Sequence, residues 1–295
     1  MEMRGVKMKN DNPHVLISPS VFNNKVSSID DCLSQYLLCI TKEADTLPEG
    51  TLCVRYRNDL PNFTKVLNRK VYGITKKPSL IYQLARRQFL TFQIPLLKQI
   101  LEEGWTSSTA AVINKKCNEI DALLTKYERA GLDIDQIVMT PNQRIWNSDR
   151  HSQKPDYQEG LIYPTNGRVF MRSKSEQAIG NLLERFHIPY RYESRLRINN
   201  IDYHPDFIIM LPTDRLLILE HVGRMDLADY NKGFISRLQS YNSSNLLIGR
   251  DVFLSFEHDT RDEESLMKVI FQMLTANPVN HRALIYAARN AGCNI

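Results

Sequence analysis

The chain has 295 residues, 42% of them hydrophobic and 24% charged, with 12 Gly and 13 Pro, a composition that excludes disordered, fibrous and low-complexity classes. Lys and Arg exceed Asp and Glu by 38 to 33, a formal charge of +5 and a pI near 8.9, too mild for the chain as a whole to be a simple polyanion-binding tail. No run approaches the ~18 consecutive apolar residues of a membrane span and residues 1–10 lack the apolar run of a secretory signal, so a cytoplasmic protein of two domains is expected. Cys32, Cys39, Cys53, Cys117 and Cys293 are odd in number, widely spaced and form no Cys-x-x-Cys pair, which argues against a disulfide framework or a structural zinc. No Gly-rich nucleotide loop is present in the sequence, which argues against an ATP-driven or dinucleotide enzyme.

The first dozen residues are polar and read as a loose terminus. Ser27 and Asp30 open an amphipathic helix over residues 27–40, with Ile29, Cys32, Leu33, Tyr36, Leu37 and Ile40 on one side. Residues 51–66 are strand-like and expected to be broken by Pro61. From Pro78 the positions Ile81, Leu84, Ala85, Phe89, Phe92, Leu96 and Ile100 recur every three to four residues up to an end near Gly104-Trp105, and Pro95 is expected to kink or interrupt that helix. A second helix follows Thr106, with Ile113, Cys117, Ile120, Leu124 and Tyr127 spaced 4, 3, 4 and 3 before Gly131. The two segments predict a helical hairpin, and residues 78–130 are the candidate surface for a homodimer.

Between Arg55 and Lys98 ten basic residues face one acid, Asp59, and Tyr56, Phe63, Tyr72, Tyr82, Phe89 and Phe92 are interleaved with them. Such a mixture can place phosphate contacts beside aromatic platforms for bases. It can equally be a core with a solvated charged face. Lys76, Lys77, Arg86 and Arg87 are the candidate nucleic-acid contacts.

Residues 139–167, with Pro141, Pro155, Pro164, Gly160 and Gly167 and no periodicity, read as a connecting arm. It separates a mainly helical, basic domain (1–138) from a second domain (168–295). In the latter, short elements alternate: a helix from Lys174 to Phe186, strands near 190–196, 203–210 and 216–220, a polar helix over 227–241, a strand at 252–256 and a last helix over 264–274. The pattern predicts an α/β (α+β) domain with a helix opening onto a sheet.

Three carboxylates fall at marked places in this plan: Glu176 in the first helical turn, Asp206 after Pro205, and Glu220 at a strand end. Each has an ordinary explanation. Ser173-x-x-Glu176 fits a capping box, Pro-Asp marks turns, and a strand-end Glu can face solvent. Together, two strand-borne carboxylates and a helix-borne third can hold one or two Mg²⁺ or Mn²⁺ ions through oxygen ligands. His187, His204, His258 and His281 are scattered and read as structural or surface residues. Arg191, Arg195 and Arg197 share a strand face, and either track a nucleic-acid backbone or blunt a sheet edge.

Arg172-Ser-Lys-Ser-Glu176, His204-Pro205-Asp206-Phe207 and Leu219-Glu220-His221-Val222-Gly223, in this order, resemble the PD-(D/E)XK nuclease superfamily, in a variant with Glu-His-x-Gly in place of Glu-x-Lys. The resemblance covers residues 167–274. The segments 84–101 and 146–164 are similar to the N-terminal part of bacterial and phage members. It implies a restriction-endonuclease-like, four-stranded mixed sheet flanked by helices, metal-dependent hydrolysis of DNA, and Glu176, Asp206 and Glu220 as the acidic positions. Metal ligation would come from these three and from the backbone carbonyl of His221, whose side chain alternates to the other strand face.

Val222 stands where the motif lysine would be. Lys174, Lys232 and Arg237 are the candidate replacements. Arg237 and Tyr241, one helical turn apart, are similar to the basic-x-x-x-Tyr motif of such nucleases, and together with Lys174 they are expected at the scissile phosphate. Arg237 suits a phosphate clamp, because guanidinium stays protonated. The expected activity is DNA cleavage with substrate engaged by the N-terminal domain, any unwinding being supplied by a separate helicase or ATPase chain. The alternatives are a catalytically silent nucleic-acid-binding or assembly protein, and a helical interaction module.

Overall fold

In the computed structural model the described residues are 29–149, 158–198, 201–223, 227–275, 281 and 283–285. The expectations placed on the first dozen residues, on Ser27 and on Cys293 lie outside them, as does the middle of the expected arm, 150–157. Helix α1 (Ile29–Thr46) buries Cys32, Leu33, Tyr36 and Ile40, the stripe its spacing predicts. Strands β1 (Thr51–Arg57), β2 (Leu60–Leu67) and β3 (Lys70–Gly73) form an antiparallel meander. Both of its turns, Asn58-Asp59 and Asn68-Arg69, hold two residues at positive φ, the backbone twist that tight hairpins favour. Pro61 does not break β2. It lies opposite Tyr56, beyond the end of β3, where its missing N–H leaves no ladder bond to a third strand unmade.

Helix α2 (Pro78–Glu103) runs through Pro95 without the interruption that the proline could have caused. A proline inside a helix costs about 3 kcal/mol. Burial of Leu84, Phe89, Leu90, Leu96, Leu97 and Ile100 on either side of it outweighs that cost. Helix α3 (Ser107–Arg129), capped by the Thr106 side chain on the Thr109 N–H, returns against α2 as the predicted hairpin. Its stripe Ile113, Cys117, Ile120, Leu124 and Tyr127 is buried in the chain's own core, so none of these five residues is left for a second copy.

After α4 (Asp135–Val138) the expected arm contains a helix instead, α5 (Pro141–Ser148), opened by a reciprocal Thr140–Gln143 capping box. The buried Gln143 amide also donates to the Met210 carbonyl at 2.8 Å, which docks α5 on the sheet. The short pair β4 (Tyr163–Pro164) and β5 (Phe170–Met171) then leads to α6 (Lys174–Arg185). Gly180 lets α6 rest directly on Met171 and Thr165, where a Cβ would collide with both side chains.

The main sheet has the order β11-β10-β9-β6: β9 (Phe207–Met210) pairs antiparallel with both β6 (Tyr190–Tyr192) and β10 (Leu216–Val222), and β11 (Val252–Phe256) runs parallel to β10. A separate ribbon of β7 (Leu196–Ile198) and β8 (Ile201–Tyr203) is inserted before β9. Helix α7 (Ala228–Ser243) makes the crossover to β11, and α8 (Glu263–Thr275) follows it. The class is mixed α/β. Alternation in the buried central strands splits the core in two. Phe207, Ile209, Leu217 and Leu219 join α6, α8 and the N-terminal helices, whereas Ile208, Met210, Leu216 and Ile218 join Tyr241 of α7. The first of these cores runs unbroken from α1 to the sheet, so the helical half and the sheet are packed together. No described helix is long and apolar enough to cross a membrane.

Candidate functional site at the acidic edge of the sheet

The register Leu219↔Phe207 brings Asp206, just before β9, opposite Glu220 of β10. Glu220 is wholly buried and Asp206 half-buried. The backbone N–H of His221 donates to Asp206 Oδ2 at 2.7 Å. On the other side the Tyr241 hydroxyl donates to Glu220 Oε1 at 2.6 Å, and the Arg237 guanidinium lies 3.4 Å from Glu220 Oε2. Helical spacing explains this convergence, since residues four apart on α7 present both groups to one strand end.

Burial raises the Asp206 carboxyl well above the ordinary range, and the Glu220 charge beside it raises it further; Arg237 and the His221 N–H oppose. Glu220 is likewise raised by burial, against the pull of Arg237 and of hydrogen bonds from Tyr241 and Asp206. Tyr241, buried against a carboxylate, has its phenol pushed far upward. The pair therefore holds a proton more tightly than two exposed carboxylates would.

Glu176 stands on the opposite face. The Ser173 hydroxyl accepts from the Glu176 N–H at 3.1 Å and donates to its Oε2 at 2.7 Å, so the capping role is real. Its carboxyl is raised by burial and then by Asp206, with the nearby His221 opposing. His221 projects to that same face, where Nδ1 is 3.1 Å from Ser255 Oγ and Nε2 is 3.3 Å from Glu257. Asp206 thus lies between two half-sites, one of Glu220, Arg237 and Tyr241, the other of Glu176 and His221.

Glu193 has no counterpart in the sequence reading. It follows β6, its N–H donates to the Asp206 carbonyl at 3.1 Å, and its φ of 44° is a left-handed conformation rare for a glutamate. Arg172 bonds its Oε1 at 2.7 Å, while its Oε2 is buried without a hydrogen-bond partner. Its negative charge bears on both Asp206 and Glu176. No motif marks it; a lone acid after a short strand carries little signal until strand pairing puts it beside Asp206.

The donor set suits a divalent cation in part. Glu220 Oε2 is buried with no hydrogen bond, and two adjoining carboxylates raised toward protonation are what a bound cation would relieve. Among the described residues, however, no group of three or more His, Cys, Asp or Glu side chains is placed to hold one ion. Asp206 and Glu220 are the two carboxylates that adjoin, while Glu176, on α6, stands on the other side of Asp206 with His221.

Tyr241 is wholly buried with its hydroxyl on Glu220, so, contrary to expectation, the side chain has no exposed surface to present to a phosphate. Arg237 keeps part of its side chain exposed. Val222 is buried, and Lys174 and Lys232 are exposed on α6 and α7.

The candidate nucleic-acid contacts divide. Arg86 is 2% exposed, pairs with Glu43 at 2.7 Å and donates to the Ile137 and Val138 carbonyls, so it is a core residue. Arg87 donates to the Ala44 and Leu47 carbonyls and closes the end of α1. Lys76 and Lys77 are exposed. Of the three arginines expected on one strand, Arg191 is buried over the Trp146 ring, 4.2 Å from its centroid, and Arg195 and Arg197 pair with Asp202 of β8. Compared with family models, curated proteins and solved structures, the chain matches none.

Proposed function

We propose that the chain is a divalent-metal-dependent nuclease of the PD-(D/E)XK kind, hydrolysing phosphodiester bonds of DNA. One observation supports the reading: the β9–β10 register sets Asp206 beside Glu220 at the ends of neighbouring strands, with the Arg237 guanidinium of α7 3.4 Å from the Glu220 carboxylate. A bound Mg²⁺ or Mn²⁺ supplies a Lewis acid for the phosphoryl oxygen and an acidified water. Asp206 and Glu220 hold it. Tyr241 fixes the Glu220 carboxylate through Oε1 and leaves Oε2 to the site. Arg237, permanently charged, clamps a phosphate oxygen as negative charge builds there, in place of the lysine that Val222 lacks. Glu176, raised toward neutrality on the α6 side of Asp206, is a group suited to holding a proton.

The test is cleavage of labelled linear, nicked, single-stranded and branched DNA with Mg²⁺ or Mn²⁺, comparing the natural chain with Asp206→Ala. The expected outcome is cutting by the natural chain and a loss of about 100-fold or more in the variant, with DNA binding kept or strengthened as repulsion from phosphate is relieved. A second reading, a catalytically silent DNA-binding protein, is favoured by Arg237 standing 3.4 Å from Glu220, since the chain's own cation already offsets that charge. Absence of cutting on every substrate, with equal salt-sensitive binding by both proteins, would establish it instead.

A further inference from the structure

The β1–β2 hairpin outruns its neighbour. Strand β3 ends at Gly73, opposite Thr64 and hence Cys53, and only Ile74 and Thr75 continue alongside as far as Phe63 and Asn62. Beyond that point the hairpin is a two-stranded ribbon, and every residue from Arg55 to Leu60 is exposed, Tyr56 to 53% and Leu60 to 70%. Alternation puts Arg55 and Arg57 on one face, opposite Asn62 and Leu60. The Thr75 hydroxyl bonds the Asn62 side chain at 2.9 Å, which brings Lys76 and Lys77 to the base of the same ribbon.

Arg86, Arg172 and Arg215 are each committed to an acid. Among the described residues, Arg55, Arg57, Lys76 and Lys77 form no ion pair or hydrogen bond through their side chains. The one acid of the ribbon is Asp59, at its apex. Exposed apolar groups beside solvated, unpaired cations are an arrangement suited to a polyanion.

We propose that this ribbon enters the major groove of duplex DNA, with Arg55 and Arg57 inside the groove and Lys76 and Lys77 on the flanking phosphates. Only the ligand class rests on the nuclease reading. Two strands lie about 4.8 Å apart, and the B-form major groove, about 12 Å wide, admits a two-stranded ribbon. The deep, narrow major groove of duplex RNA does not, and a single strand has none.

The test is fluorescence anisotropy of a labelled DNA duplex in EDTA, so that cleavage plays no part, for the natural chain, Arg55→Ala/Arg57→Ala and Lys76→Ala/Lys77→Ala. As a control, Lys115→Ala/Lys126→Ala removes two exposed cations of α3. Each ribbon cation removed should weaken binding about fivefold at ~0.15 M salt and lower the salt slope by about one. The control should bind at least as tightly as the natural chain, and duplex DNA should compete better than single-stranded DNA or duplex RNA. Unchanged affinity and salt slope in both ribbon variants would overturn the proposal, as would equal competition by single strands or duplex RNA. A chain that binds through the ribbon yet never cuts DNA would sink the nuclease reading and leave this one standing.

Discussion

Glu220 and Arg55 mark the two ways this molecule handles charge. At the sheet edge Glu220 is fully buried, and Tyr241 and Arg237 of the same chain engage it. On the β1–β2 ribbon the cations are exposed and, among the described residues, unpaired. Removing an ion from water costs several kcal/mol, so a buried charge persists only with internal partners. An exposed charge is stabilised by water and remains free for a ligand. Arg86 and Arg87 lie within the basic stretch of sequence yet behave like the buried edge, which is why a count of basic residues misplaces the binding surface.

The largest effect that tests this contrast is on stability. Arg86→Ala leaves Glu43 and the carbonyls of Ile137 and Val138 without their donor. It should cost about 3–5 kcal/mol in urea unfolding, whereas a cost under about 0.5 kcal/mol would return Arg86 to the surface class. Tyr241→Phe removes a hydroxyl from a buried carboxylate and should cost about 1–3 kcal/mol. Its cleavage rate, measured on the folded variant, should also fall, because Glu220 loses the bond that orients it.

Acidity gives a smaller effect with a definite sign. Asp206 and Glu220 are raised above their unfolded values, so the folded chain binds more protons than the unfolded one. Their contribution to stability is then complete below about pH 4 and is lost as pH rises through the raised values. In metal-free buffer the natural chain should melt at a higher temperature near pH 5.5 than near pH 7.5, and Glu220→Gln should flatten that difference. The exposed Asp202 and Asp262 are lowered, so they work in the opposite direction, but only in the more acid range. A melting temperature that rises with pH, unchanged by Glu220→Gln, would mean that the pair is already ionised. Smallest of all, Arg55→Ala/Arg57→Ala should alter unfolding free energy by no more than about 0.5 kcal/mol, since neither side chain has a partner in the described residues to lose.

Local spacing alone determined a good deal. Three-to-four-residue periodicity marks α1, α2 and α3, the Ser173 cap marks the start of α6, and the strand and helix order after Gly167 follows from short apolar runs between turn residues. The order of Glu176, Asp206 and Glu220 along those elements is equally legible. The continuity of α2 through Pro95 is not, because packing on both sides of that proline outweighs its cost. Nor is α5 legible: its capping box is local, but its docking depends on a bond from Gln143 to a carbonyl 67 residues away.

The site itself was settled by long-range pairing. Which acids meet depends on the β9–β10 register and on the period-two alternation that sends Glu220 toward α7 and His221 toward α6. That is why Glu176 separates from Glu220, and why Glu193, unmarked in sequence, arrives beside Asp206. Residue type and spacing carry the local preferences of a chain. Burial and partnership, which decide whether an arginine is a core strut or a ligand contact and whether a carboxylate holds a proton, exist only once distant segments are in contact.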